Sequence, residues 1–237
     1  MKHPLLHAAQ ASLPYHLMRW LVVWPFFRLL LRGRTEGRSS VPSEGGLVVV
    51  ANHGSHLDPP LLSSAMGRPV AFMAKEELFR VPLLGPLIRA CGAYPVARGA
   101  GDREALRTAC RRLEEGWATG VFLDGTRQAD GRVSRPLPGA ALLAARTGRP
   151  LLPVAIINSH RALGPGGRFK LVPVHVRIGT PIPPPASTRR ADLDAVTEAC
   201  QGQINRMLDQ GLITTPPRIA ETTPPPLLSP RSSDHGH

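Results

Sequence analysis

The sequence predicts an α/β fold: a central, mostly parallel sheet flanked by helices, with an N-terminal amphipathic helical arm. Three observations predict it. Short apolar runs that read as buried strands alternate with segments of helical periodicity through the middle of the chain. Glycine or proline marks most transitions between them. Hydrophobic residues make up 42% of the 237, enough for a sizeable core and too many for wholesale disorder.

Residues 1–40 carry six Lys or Arg against one acidic residue. Within them, Leu17 to Leu31 reads LMRWLVVWPFFRLLL. Leu17, Trp20, Leu21, Trp24, Phe27 and Leu31 recur at helical spacing, which predicts one apolar face. Arg19 and Arg28 interrupt the run, Pro25 lies inside it, and its 15 residues fall short of the roughly 20 needed to span a bilayer. No small-residue cleavage site follows, which argues against a secretory signal. Trp20, Trp24, Phe27 and Arg28 fit a segment lying in the headgroup layer. The plain alternative is a helix docked on the core.

Gly46–Asn52, GLVVVAN, follows Gly45 and predicts a buried strand. Asp58-Pro59-Pro60 predicts an N-cap and the first turn of a helix reaching about Met66. Pro69–Ala74 reads as a second strand. Lys75–Cys91 is a broken helical stretch containing Pro82 and Pro86, and Ala93–Val96 is a short strand. Asp102 opens a helix to Gly116 whose Leu106, Ala109, Cys110 and Leu113 share a face. Gly120–Leu123, Leu151–Asn158 and Val172–Ile178 read as strands; Pro138–Thr147 and Ala191–Gln210 read as helices. Residues 214–237 hold six prolines and no apolar period, which predicts a disordered Pro-rich tail. The expected organisation is a membrane-interface segment over 1–40, a folded domain over 41–213, and the tail.

Lys plus Arg is 29 and Asp plus Glu is 17, giving a net charge of +12. All but Lys2, Lys75 and Lys170 of those cations are arginine. Arg, Ala, Gly and Pro abound together, a pattern that GC-rich coding bias produces by itself. The charge suits an anionic membrane surface as well as a nucleic acid. Aromatics are only 5%, and two of the three Trp sit in the arm, so no base-stacking platform exists and no nucleic-acid partner is expected. Cys91, Cys110 and Cys200 are odd in number and far apart, which excludes a disulfide framework and zinc or redox spacing. His53 and His56 lack a third ligand, so no metal is expected.

The most informative stretch is Asn52-His53-Gly54-Ser55-His56-Leu57-Asp58, where a strand ends and a helix begins. A histidine there can act as a base near neutral pH, and an Asp within reach can orient it. The two residues are five apart, so they meet only across a turn, which Gly54 and the following prolines allow. Taken alone, Asp58 could equally be an N-cap and His53 a loop histidine. Asp124-Gly125-Thr126-Arg127 follows another strand; its amides and guanidinium suit an anion, although an Asp-Gly turn with a solvated Arg has the same sequence. Arg98 and Lys75, each at a strand end, could also hold an oxyanion. The G-x-S-x-G elbow of serine hydrolases is absent.

In this order the blocks resemble the glycerolipid acyltransferase family of the bacterial 1-acylglycerol-3-phosphate acyltransferase type, over roughly residues 45–180. Asn52, His53 and Asp58 match its N-H-x-x-x-x-D motif. Gly92 and Arg98 match its G-x-x-x-x-x-R block. Asp124, Gly125, Thr126 and Arg127 stand for its E-G-T-R block. Leu152-Pro153-Val154 matches its proline-centred strand, and Lys75, Glu77 and Leu78 also look like the family. Two departures are evident. Asp124 replaces the usual Glu, and Tyr94-Pro95 stands where an apolar-Phe pair is usual.

The resemblance implies that His53 and Asp58 are catalytic and that Arg98, Arg127, Lys75, Gly125 and Thr126 hold a substrate phosphate. Asn52, Asp124 and Pro153 would support them. It implies acyl transfer from acyl-CoA or acyl-carrier protein, as co-substrate, to the hydroxyl of 1-acylglycerol-3-phosphate, giving phosphatidic acid with no cofactor. Asp124 keeps another acceptor open: glycerol-3-phosphate, a lyso-glycolipid or an aminolipid. Membrane lipids are the expected partners, at the cytoplasmic face of the cell membrane in a peripheral or monotopic position.

Overall fold

A computed structural model describes residues 13–82, 84–90, 93–96, 102–164 and 167–213. The expected tail at 214–237, together with Gly92 and Arg98, lies outside the described residues. Among the described residues seven strands form one sheet: β1 (Arg34–Glu36), β2 (Leu47–Ala51), β3 (Val70–Lys75), β4 (Tyr94–Val96), β5 (Ala118–Phe122), β6 (Leu151–Ile157) and β7 (His175–Ile178). Their spatial order is β1-β7-β6-β2-β5-β3-β4. All neighbours pair in parallel except β6 with β7.

Strand β2 sits mid-sheet and all five of its residues are fully buried. Leu47, Val49 and Ala51 face one core layer and Val48 and Val50 the other. Burial on both faces explains why β2 reads as an unbroken apolar run. Helix α2 (Asp58–Met66) and the arm cover the first layer. Helices α4 (Asp102–Glu114), α5 (Gly139–Thr147) and α7 (Arg190–Asp209) cover the second. The remaining helices are α1 (Leu13–Met18), α3 (Leu84–Ala90) and the single turn α6 (Ser159–Ala162).

Pro153 stands in the middle of β6, where a missing N–H would normally break the ladder. Toward β2 the register runs unbroken through Val50 opposite Pro153, and it is on the β7 side that the pairing stops short of the proline. Leu151 bridges to Ile182, Val154 pairs with Ile178, and the chain between bulges out, with Gly179 N–H donating to the Pro153 carbonyl at 2.9 Å.

Two expectations about the N-terminal region need correction. Residues 34–36 form β1 and pair with β7, so the folded body begins before residue 41. Three residues reading Arg-Thr-Glu carry no apolar alternation by which a strand could be recognised. The arm also does not present one continuous apolar face. It passes from α1 through π-helical segments at Arg19–Val23 and Phe26–Leu30, which flank Pro25. The wider turns accommodate the proline and shift the side-chain register, so a stripe drawn at 3.6 residues per turn divides. Trp20, Leu21 and Trp24 are exposed, whereas Phe27 is 2% exposed and Leu31 fully buried in the first core layer. Phe27 is therefore a core residue rather than an interfacial one. Arg28 is exposed, and its guanidinium donates to the Gly33 carbonyl at 2.8 Å.

Candidate active site

Parallel pairing brings the carboxyl ends of β2, β5 and β3 to one edge of the sheet. His53 lies just past β2 and Asp124–Arg127 just past β5, so the two most informative sequence blocks become neighbours. The Gln128 N–H donates to the His53 carbonyl at 2.8 Å and ties the two loops together.

Between β2 and α2 the chain makes the turn that the spacing demands, closed by Asp58 N–H to the Ser55 carbonyl at 3.3 Å. It brings His53 Nδ1 to 2.9 Å from Asp58 Oδ2. The same oxygen accepts from the Gly54 and Ser55 amides, each at 2.8 Å. Asp58 is fully buried and lies in the first turn of α2, where the helix dipole favours its charge. It is not the N-cap: Leu57 occupies that position, and the carboxylate turns back to the histidine loop instead. A carboxylate only accepts, so Nδ1 carries the imidazole proton and Nε2 keeps its lone pair. Ser55 is also fully buried; its hydroxyl donates to the Leu163 carbonyl at 2.8 Å and accepts from the Leu57 amide at 3.2 Å.

The imidazole is further fixed by stacking. Its centroid lies 4.0 Å from that of Phe122 at an interplanar angle of 12°, and Phe122 stacks in turn on Phe72 at 5.7 Å. Behind the histidine, Asn52 is fully buried and its side chain bonds to backbone groups. Its amide donates to the Gly131 and Ile156 carbonyls at 2.7 and 2.9 Å, and its oxygen accepts from the Ile156 amide at 2.7 Å. It thereby joins β2 to β6 and to the 131 loop. Gly54 must be glycine, because a Cβ there would sit 2.8 Å from His160 Cβ.

A cavity of about 670 Å³ opens at this edge. His53, Gly125, Thr126 and Arg127 line it together with apolar Val70, Phe72, Ile88 and Pro59. Arg19 reaches it from the arm; it is 7% exposed, and its guanidinium donates to the Ser64 carbonyl at 3.4 Å and lies over the Trp20 ring.

The third block divides its duties. The Gly125 N–H already donates to the Phe122 carbonyl at 3.0 Å, closing a turn in which Gly125 has φ of +63°. That amide is committed to the turn, which removes it from the expected phosphate donors; Thr126 and Arg127 remain on the cavity wall. Asp124 is 6% exposed and faces away, its Oδ1 accepting from the Ser134 and Arg135 amides at 3.1 and 2.6 Å. It pins the following loop rather than touching the cavity. Pro153 is buried in β6 and does not line the cavity either. Lys75 closes β3, and its side chain, like Gly92 and Arg98, lies outside the described residues.

Phe122, Phe72 and Arg19 are not singled out by the sequence. For Phe122 a signal existed: as the last residue of β5 it pairs with Ala51, two residues before His53. Arg19 gave none, since its inward turn depends on the π-helical register.

The chain is 29% identical over 194 residues to the 1-acyl-sn-glycerol-3-phosphate acyltransferase of Bacillus subtilis, covering 77% of this chain and 94% of that protein. It is 28% identical over 159 residues to the chloroplastic enzyme of the same name, LPAT1, from Arabidopsis thaliana, covering 66% of this chain but only 43% of that longer protein. It also superimposes on the crystal structure of the 1-acyl-sn-glycerophosphate acyltransferase PlsC from Thermotoga maritima, with a TM-score of 0.65 and 28% identity over 82% of this chain and 81% of that one. A family described as Acyltransferase matches residues 32–157, more than half of the chain and a span that includes both the His53–Asp58 pair and the Asp124–Arg127 loop. On that match the chain belongs to the acyltransferase family.

Proposed function

We propose that this protein transfers a fatty acyl group from a thioester, acyl-CoA or acyl-carrier protein, to the free hydroxyl of 1-acylglycerol-3-phosphate, giving phosphatidic acid for phospholipid synthesis. The observation that carries the reading is the buried Asp58 carboxylate 2.9 Å from His53 Nδ1, on an imidazole that lines an apolar cavity beside Arg127.

In this mechanism His53 Nε2 takes the proton from the acceptor hydroxyl as its oxygen attacks the thioester carbon. The carbon–sulfur bond then breaks, and the thiolate receives that proton back. Asp58 orients the ring and stabilises the imidazolium. Ser55 is committed to backbone partners, so acyl transfer proceeds without an acyl-serine at that position. Arg127, with Thr126 beside it, meets the acceptor phosphate, and the apolar walls take an acyl chain.

Catalysis takes place at a bilayer surface. Among the described residues no helix is long and apolar enough to cross a membrane. The exposed Trp20, Leu21, Trp24 and Leu29 suit the arm to lie in the headgroup layer. The test is mass spectrometry of products from the purified protein, given lysophosphatidic acid with either donor. Phosphatidic acid with stoichiometric release of free thiol is expected. Acylation of a phosphate-free lysolipid in preference to lysophosphatidic acid would overturn the acceptor assignment.

A further inference from the structure

A second cavity, of about 350 Å³, is lined by His160, Arg161, Gly164, Arg168, Lys170 and Val172. Arg161, Arg168 and Lys170 are exposed, and among the described residues none of them has a carboxylate within ion-pair distance. His160, on the same cavity wall, feels the charges of Arg161, Asp130 and Asp58.

The segment carrying these cations also carries apolar residues that face solvent. Phe169 is 45% exposed and Leu171 is 64% exposed. A local hairpin holds them out: Leu163 bridges to Phe169, and Lys170 N–H donates to the Ala162 carbonyl at 2.8 Å. The Phe169 ring lies 5.7 Å from Phe26 of the arm, so this surface is continuous with the arm's exposed Leu29 and Leu30.

We infer that residues 161–164 and 167–171 form a second membrane contact, with Arg161, Arg168 and Lys170 binding the phosphates of anionic lipid headgroups while Leu171 and Phe169 enter the interface. Alternating basic and apolar residues on an exposed turn match the two layers they would meet, headgroup phosphate and acyl-chain boundary. Two contacts on either side of the Phe26–Phe169 junction fix the orientation of the domain on the bilayer, which one helical arm lying in the plane does not.

The inference rests on the proposal that the protein works at a membrane, and the test separates the two. Cosedimentation is measured with phosphatidylcholine vesicles, with and without phosphatidylglycerol, for the full chain and three variants of confirmed thermal stability. Arg168→Gln/Lys170→Gln is expected to weaken binding to the anionic vesicles by about 5-fold per charge removed and to leave binding to neutral vesicles unchanged. Leu171→Ser, at a site too exposed to matter for folding, is expected to weaken binding to both. Trp20→Ser/Leu21→Ser reports the arm separately. If only the arm variant loses binding, the hairpin is no contact and the inference fails while the membrane proposal stands. If the wild-type chain binds neither vesicle, the membrane proposal fails and the inference falls with it. If the Arg168/Lys170 variant partitions normally but loses affinity for acyl-CoA, the cavity serves the donor's phosphates and the inference is overturned.

Discussion

Asp58 Oδ2 gathers three donors, two backbone amides and the His53 imidazole, at 2.8–2.9 Å. Asparagine at this position keeps an acceptor for the amides but loses the charge that favours an imidazolium. Asp58→Asn is expected to retain the fold, shown by an unchanged circular dichroism spectrum, and to lower kcat by about 10²–10⁴-fold. Turnover within a few-fold of wild type would remove Asp58 from the mechanism. Arg127 acts differently, because a phosphate contact binds alike in ground and transition states. Arg127→Gln should mainly raise the KM for the acceptor and leave the donor KM unchanged. The histidine and aspartate were legible through the order of the sequence blocks; Gly54 and the two prolines only allowed the turn that joins them. The loss of Gly125 as a phosphate donor was not legible, since sequence spacing does not say which amides a turn will consume.

At the scale of elements, the arm does two jobs on two faces. Phe27 is 2% exposed and packs with β2 and α2, whereas Trp24 faces out. Phe27→Ala is expected to destabilise the protein by about 3–5 kcal/mol in chemical denaturation. Trp24→Ala is expected to change stability by less than about 1 kcal/mol while lowering vesicle binding. Equal stability losses in the two variants would contradict this division. Strands β2, β5 and β6 could be read from sequence because burial on both faces leaves an apolar run. Strand β1 could not, since Arg34–Glu36 is a polar edge, and the arm's register could not, since π-helical turns around Pro25 depend on how Phe27 and Leu31 seat in the core.

The whole molecule places its chemistry by topology. Parallel pairing delivers the ends of β2 and β5 to one edge, so residues more than 70 apart meet there without any further device. Stability should also respond to pH as a global property. Burial, reinforced by Arg34, lowers the pKa of His175 below its usual 6.5, and its Nδ1 accepts from the Ile213 amide at 2.8 Å. Burial, then Arg161, lowers that of His160. The unfolded chain therefore binds more protons than the native one in mild acid, and stability falls as pH drops through about 6.5. The melting temperature should decline between about pH 7 and pH 5.5, and His175→Gln should make that decline shallower; a flat profile in wild type would contradict it. Catalysis offers the most direct measurement: the single-turnover rate of His53→Ala with lysophosphatidic acid and a saturating thioester donor. The account predicts a fall of about 10²–10⁴-fold with acceptor binding preserved. A rate near that of wild type would contradict it.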